Sequence, residues 1–423
     1  MKRMSRPKKM GLLIAAALAV AGTTGAQAGI GVKAGDWDLD FSGNVNGFAT
    51  WNDCDDKSFN IAGGLACNSG PSGNGVQSVQ SGLLPSALVF SARSRQANQD
   101  VGVTIGFYPT LTTNSGSGSG NTALGSASIN VRQNFLFFGD PSWGQVKVGR
   151  DIGIYGSDAI LSDMTLLGVG SGAAFLGGST TLGRIGVGYI YADWIPQITY
   201  TSPAFGAFKF AAGVFQGLDL EPILVGTDPN GATLTGHEQP GFQGKVSFEW
   251  KGPVSGKAWI SGMEQEVRSS PNQFGANTGV TSIRGTGFDI GAKVNFGPLD
   301  AVAYYYDADG LGTTAIGFGA ASFSNGSLQK RKSDGYYGQV TYKFGPAKVG
   351  YSYGVSKLKL ASNESTSSNP LLLEKNESSV FGVYYALTSS VNLVGEFITT
   401  KARAQSGSSI KDSAFALGAI LFF

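Results

Sequence analysis

The chain has 423 residues, of which 64 are glycine, 26 phenylalanine and 15 tyrosine, and only 14% are charged. A formal charge of +2 excludes the strongly basic surface that nucleic-acid binding requires. The glycine and aromatic content favours strands and turns over helices.

In chain order, residues 1–10 carry five cations: Lys2, Arg3, Arg6, Lys8 and Lys9. Residues 11–22 form an apolar run too short to span a bilayer comfortably, and Ala26-Gln27-Ala28 is a small-residue cleavage pattern. Residues 1–28 therefore read as a cleaved signal peptide, with a membrane anchor as the alternative. Without the leader, 26 basic residues face 29 acidic ones, a net charge of −3. Residues 29–423 show no composition shift or linker and are expected to form one domain. Beyond the leader no apolar run approaches the ~20 residues of a membrane helix.

Cys54 and Cys67 are the only cysteines. In an exported chain such a pair reads as a disulfide, here closing a short Gly/Asn-rich loop and worth about 3 kcal/mol of loop-closure entropy. A metal site is the weaker alternative, because no histidine lies nearby.

Farther along, strand candidates follow one another with a strict period of two. In GFQGKVSFEW, Phe242, Gly244, Val246, Phe248 and Trp250 share one face, and Gln243, Lys245, Ser247 and Glu249 the other. GYYGQVTYKF and KVGYSYGVS repeat the pattern, with Tyr336, Val340, Tyr342 and Phe344, then Val349, Tyr351, Tyr353 and Val355, on the apolar side. The connections alternate in length. Short ones fall at residues 96–99, 139–144, 202–206, 252–253, 297–298, 345–346 and 388–390. Long ones fall at 52–82, 110–126, 151–183, 216–240, 269–282, 307–333 and 361–377, with a shorter last one at 405–410.

Seven short and eight long connections join sixteen strands. An outer-membrane barrel has this form, with short periplasmic turns, long extracellular loops and strands that are apolar outside and polar inside. Closure leaves no unpaired backbone edge, as lipid demands, and sixteen strands enclose an aqueous channel. The predicted fold is thus all-β, a 16-stranded antiparallel transmembrane β-barrel. A β-propeller is the competing architecture, but it needs four strands per repeat where this chain has two. The ending AFALGAILFF fits the barrel: Phe415, Leu417, Ala419, Leu421 and Phe423 face lipid, and the strand is expected to pair with the first one around residues 37–51. Its inward row, Ala416, Gly418, Ile420 and Phe422, is apolar enough to require a cover.

NVRQNFLFFGDPSWGQVKVGRDIGIYG (residues 130–156) and ITYTSPAFGAFKFAAGVF (198–215) resemble hairpins of the general porins of the Gram-negative outer membrane. The resemblance implies a homotrimer of barrels set in outer-membrane lipid and lipopolysaccharide. It further implies passive diffusion of small hydrophilic solutes and ions, loop 3 (about 151–183) folded inward, and no cofactor. Phe423 would be the signal read by the barrel-assembly machinery. Two departures stand out. Residues 151–183 lack the acidic Pro-Glu-Phe-Gly-Gly-Asp pattern and are rich in Leu, Gly and Ala, and Ala87 stands where many porins place a pore arginine.

Asp151, Asp158 and Asp163 in loop 3 are the candidate constriction acids, facing wall cations chosen from Arg132, Arg150, Arg184, Arg93 and Arg95. Arg132 has the parity opposite to Ile129, Val131, Phe135 and Phe137, and so is expected to face the lumen. Alternation from Val146 and Val148 aims Arg150 at lipid, at a cost of ~2–4 kcal/mol at the midplane. A bulge or a strand-end position is expected to turn it inward. Arg93 and Arg95 are inward by parity but close to a periplasmic turn.

Other constellations carry little. His237 sits in a long loop beside Glu238, a weak basis for a barrel-embedded enzyme. DADGLGTTAIGF (307–318) starts like a calcium loop but has Phe318 where a glutamate is required. Asp53, Asp55 and Asp56 form an acidic loop tip or a surface divalent site. NSGSGSGN (114–121) reads as a flexible loop. A substrate-specific channel of the same fold is the main alternative function, recognisable by lumen tracks of basic or aromatic residues and extra inward loops. An adhesin or receptor role for the long loops could coexist with either.

Overall fold

Along the strand Gly241–Trp250, Phe242, Val246 and Phe248 are exposed while Gln243 and Ser247 are buried. A water-soluble sheet would do the reverse, so this wall meets lipid outside and polar matter inside. The same inversion runs through sixteen strands in the computed structural model of the chain. It describes residues 29–423 apart from 56–58, 68–73, 110, 112–128, 172–179, 219–227, 233, 235, 270–280 and 325. The expected leader, the Gly/Ser tract 114–121 and Asp56 lie outside the described residues.

Each strand pairs antiparallel with its chain neighbours, and the ring closes. The last strand, Ser409–Phe422, pairs with the first, Trp37–Cys54, from Asn44↔Phe422 to Cys54↔Asp412. Phe423 extends this seam: its backbone N–H and C=O bond to Gly43 at 3.1 and 2.9 Å, and its ring lies 5.4 Å from that of Phe41. No barrel edge is left to aggregate.

All seven expected short turns fall between paired strands. At the first, Ala97 and Asn98 both take left-handed backbone angles (φ 46° and 65°), the type I′ geometry that matches strand twist in a two-residue hairpin. Gly297 and Gly345 (φ 57° each) supply the same freedom at two of the Gly-Pro turns.

Four short strands were not legible in the alternation: Ala321–Ser324 and Ser327–Lys330 pair with each other within loop 6, and the other two lie on the first strand. Ile30–Ala34 folds back on the base of the first strand, and Asn74–Gln80 pairs with its upper half, above the stretch paired to Ala87–Gln96.

Two long loops besides loop 3 enter the barrel mouth. Residues 61–66 of loop 1 lie on the last strands: Ala62 exchanges backbone hydrogen bonds with Leu371 and Leu373, and Leu65 N–H donates to Asn376 at 3.0 Å. Cys54 and Cys67 are joined in a disulfide, and Cys67 N–H donates to Asp412 at 2.7 Å. Replacing both cysteines by serine is expected to cost about 3 kcal/mol of local stability. Faster protease nicking of loop 1 in the folded barrel is the measurement. The calcium-like stretch of loop 6 is buried in the mouth through Leu311, Thr314, Ile316 and Phe318. Higher up, Arg331 is fully buried and pairs with Asp228 and Glu364, each at 2.5 Å, tying three extracellular loops into one cap.

Candidate functional site: an eyelet lined by loop 3

The strand Gly144–Ile152 ends and the chain turns into the barrel, where the described residues of 153–193 lie before the strand Trp194–Thr201 begins. Loop 3 therefore ends ten residues later than the expected 151–183. Residues 184–193 contain an apolar, aromatic run that resembles strand. However, Val187, Tyr189 and Ile190 are all buried where a wall strand would alternate, because this run lies flat on the inner wall.

Lumen-facing polar side chains hold the loop by capping its free backbone groups. Gln243 accepts from Ile154 and Tyr155 N–H at 2.7 and 2.9 Å, and Asp289 accepts from Gly156 N–H at 2.9 Å. Gln339 accepts from Met164 N–H and donates to Ser162, and Tyr337 donates to Ala159 C=O at 2.8 Å. Glu396 accepts from Val169 and Gly170 N–H and from the Tyr384 hydroxyl, each at 2.8 Å. The loop thus tracks most of the inner circumference. Its Leu166 and Leu167, with Leu83 and Leu84, join the core cluster containing Ala416 and Ile420. These segments are the cover that the apolar inward row of the last strand required.

Two acids of loop 3, Asp158 and Asp163, are spent on holding it in place. Asp158, on the short helix Ser157–Ser162, pairs with Lys245 at 2.6 Å and Lys257 at 2.5 Å. Burial pushes the Asp158 carboxyl up, but the two ammonium groups outweigh this and hold it below its ordinary value. Asp163 caps the next turn, accepting from Thr165 N–H and hydroxyl at 2.9 and 2.8 Å and from the Tyr189 hydroxyl at 2.9 Å. Burial raises the Asp163 carboxyl, and neighbouring Arg184 offsets this only in part. Asp151 closes its strand on the lumen face, 2.5 Å from Lys147.

The basic residues divide differently from expectation. Arg184 is no wall residue: it lies within loop 3, fully buried, and donates to the carbonyls of Ser378 (2.8 Å), Ser352 and Val187 (3.4 Å each). Arg150 is not turned inward. It pairs in unbroken register with Asn134 and Pro196, both exposed on the outer face, and its Nε donates to Trp194 C=O at 2.9 Å. A place two residues from the strand end, above the lipid midplane, makes this tolerable.

Arg132 sits at a bulge. The register skips from Gly106↔Gln133 to Phe107↔Val131, so parity reverses along the strand Ile129–Asp140. Phe135 and Phe137 consequently point inward, and Leu136 and Phe138 outward, the opposite of the sequence expectation. Arg132 itself is in the lumen, 5.4 Å over the Tyr108 ring. Arg93 is on the lumen face opposite Asp38, and Arg95 is neutralised near the periplasmic turn by Asp100 and Asp140 at 2.7 and 2.6 Å.

Between loop 3 and the opposite wall a cavity of about 230 Å³ remains. Leu83, Pro85, Leu161, Leu166, Leu182 and Ile185 make most of its lining apolar, and Arg132, Asp193, Tyr108 and Tyr191 form one polar corner. Loop 6 contributes Thr314 and Ala315, and Tyr191 N–H donates to Thr314 C=O at 2.9 Å. Sequence reasoning missed Asp193, Lys245 and Lys257. Lys245 did show its inward parity; what hid its role was the search for arginines. His237 lies on the outer side, bounding a groove with Val148, Pro196 and Ile198. Among the described residues no cluster of three or more His, Cys, Asp or Glu is placed to hold a metal.

A profile of Gram-negative porins matches residues 13–405. The chain belongs to the Gram-negative porins. The porin's fold is similar to that of the outer membrane channel DcaP of Acinetobacter baumannii, at 17% identity and a TM-score of 0.67 over 94% of this chain and 100% of that one. It is also similar to OprB of Pseudomonas putida, at 12% identity and 0.56 over 91% and 94%. OmpF of Salmonella typhi, solved with daunomycin, gives 14% identity and 0.54 over 93% and 100%. No curated protein matches this porin by sequence. Family and fold together make it an outer-membrane channel for passive diffusion.

Proposed function

We propose that this porin is a narrow, selective passage for small solutes carrying a polar or charged end on an apolar body. The lining of the eyelet carries this reading: aliphatic side chains surround most of the cavity, and its charge is gathered in one corner with Arg132 and Asp193. Such a lining opposes fully hydrated ions, which recover little of their hydration there, and favours solutes that lose little on leaving water. The inward-folded loops 1 and 6 are the extra loops that distinguish a specific channel from a general one. In liposome swelling, hexanoate is expected to enter clearly faster than a sugar of similar mass. Equal rates would refute selectivity while leaving the channel itself intact.

The same reading takes the mature chain to begin at Gly29 and to form a homotrimer, with Phe423 as its assembly signal. It assigns the chain no catalysis. Family membership supports the trimer and the assembly signal.

A further inference from the structure

Among the described residues that line the eyelet cavity, Arg132 and Asp193 are the only charged ones. The lining is therefore neutral overall, yet it gathers one cation and one anion into a single corner of an apolar chamber. Both groups are built into place. Arg132 is the extra residue of a bulge, a device that re-aims side chains beside functional sites. Its guanidinium rests 5.4 Å over the ring of buried Tyr108. That ring is fixed in turn: its hydroxyl donates to Gln133 at 2.7 Å, and Trp194 packs against it at 5.8 Å. Asp193 takes a left-handed backbone angle (φ 53°), an uncommon and costly conformation for a residue with a side chain. Its carbonyl accepts from Gly153 N–H at 2.9 Å and its carboxylate from Trp194 N–H at 2.6 Å. The two ends of loop 3 are thus tied together at this residue.

Such a corner selects on both signs at once. A solute with only a carboxylate meets Arg132 but is opposed by Asp193, and one with only an ammonium meets the reverse. Taking a charge out of water is costly unless it is paired, so a solute carrying both charges close together loses least here. Its apolar remainder then lies against Leu161, Leu166, Leu182 and Ile185. A volume of about 230 Å³, below the ~300–1,000 Å³ of sites for drug-sized ligands, keeps the solute small. We propose that the eyelet recognises zwitterionic α-amino acids with apolar side chains, Arg132 receiving the carboxylate and Asp193 the ammonium. This deepens the channel proposal and rests on its reading of the cavity as the passage.

The test is swelling of liposomes carrying the full-length porin at neutral pH, corrected for protein-free liposomes. The two solutes are L-leucine and sodium 4-methylpentanoate, which has the same skeleton without the ammonium group. Leucine is expected to enter at least about fivefold faster through the wild type. Asp193→Asn keeps an acceptor for Trp194 N–H but removes the charge; it should slow leucine at least about fivefold and speed 4-methylpentanoate, reversing their order. Arg132→Gln should slow both solutes, and Arg132→Lys should recover part of both rates. Equal entry of the two solutes through the wild type, or an unchanged ratio in D193N, would overturn the inference. If neither solute outruns a sugar of similar mass, the channel proposal beneath it fails instead. Protease resistance of loop 3 in the variants, matching the wild type, shows that the fold is kept.

Discussion

Replacing Arg184 by alanine is expected to open the pore. Its side chain has no solvent exposure and donates to carbonyls on two wall strands, at Ser352 and Ser378. Truncation leaves those carbonyls without their cationic donor and Asp163 buried without its neighbouring charge. Removing one member of such a buried arrangement costs ~3–5 kcal/mol. The sixteen-strand wall has its own closed ladder, so the cost falls on the attachment of loop 3 and not on the barrel. Single-channel conductance in a planar bilayer should rise severalfold, with faster protease cleavage in loop 3. A variant with normal conductance and an intact loop would show that loop 3 is held by its other anchors alone.

Asp158→Asn should change the sign of selectivity more than the size of the pore. The carboxylate neutralises Lys245 and Lys257, and without it two ammonium groups stand at the lumen wall facing a neutral amide. The structural cost is roughly 2 kcal/mol, below that of a fully buried pair, because the lysines keep 19% and 31% of their side-chain surface exposed. The reversal potential across a salt gradient should shift toward anion preference, and D158N/K245Q/K257Q should restore the wild-type value. The pH dependence follows from the same geometry. A carboxyl held below its ordinary value contributes fully above the unfolded value of about 4, and loses its contribution as pH falls through the lower folded value. Wild-type selectivity is thus expected to persist through mildly acidic pH and to fail only in strong acid. A shift between pH 7 and 5 would contradict the assignment.

Much of this could be read from the chain itself. Period-two alternation with aromatic rows on one face, and connections alternating between short and long, specify a closed sixteen-strand barrel because lipid leaves few other ways to pair every backbone group. The final phenylalanine row is legible for the same reason, as its outward face and its pairing with the first strand follow from parity and closure. Parity also placed Lys245 on the polar face, where it meets Asp158.

What parity cannot reveal is where it breaks. A single inserted residue at Arg132 reverses the faces of Phe135 and Phe137, and nothing in the local pattern marks the bulge. The interior packing was equally hidden. Tyr189 and Ile190 look like strand residues, and only the inner wall against which they are buried makes them loop. Asp151, Asp158 and Asp163 look like a charged constriction until their partners are known: Lys147 for the first, Lys245 and Lys257 for the second, Thr165 and Tyr189 for the third. The chain alone determined which side of each strand meets lipid, a choice made residue by residue by solvation. The tertiary structure alone decided which charges remain in the open passage, because that depends on contacts between residues tens to hundreds of positions apart.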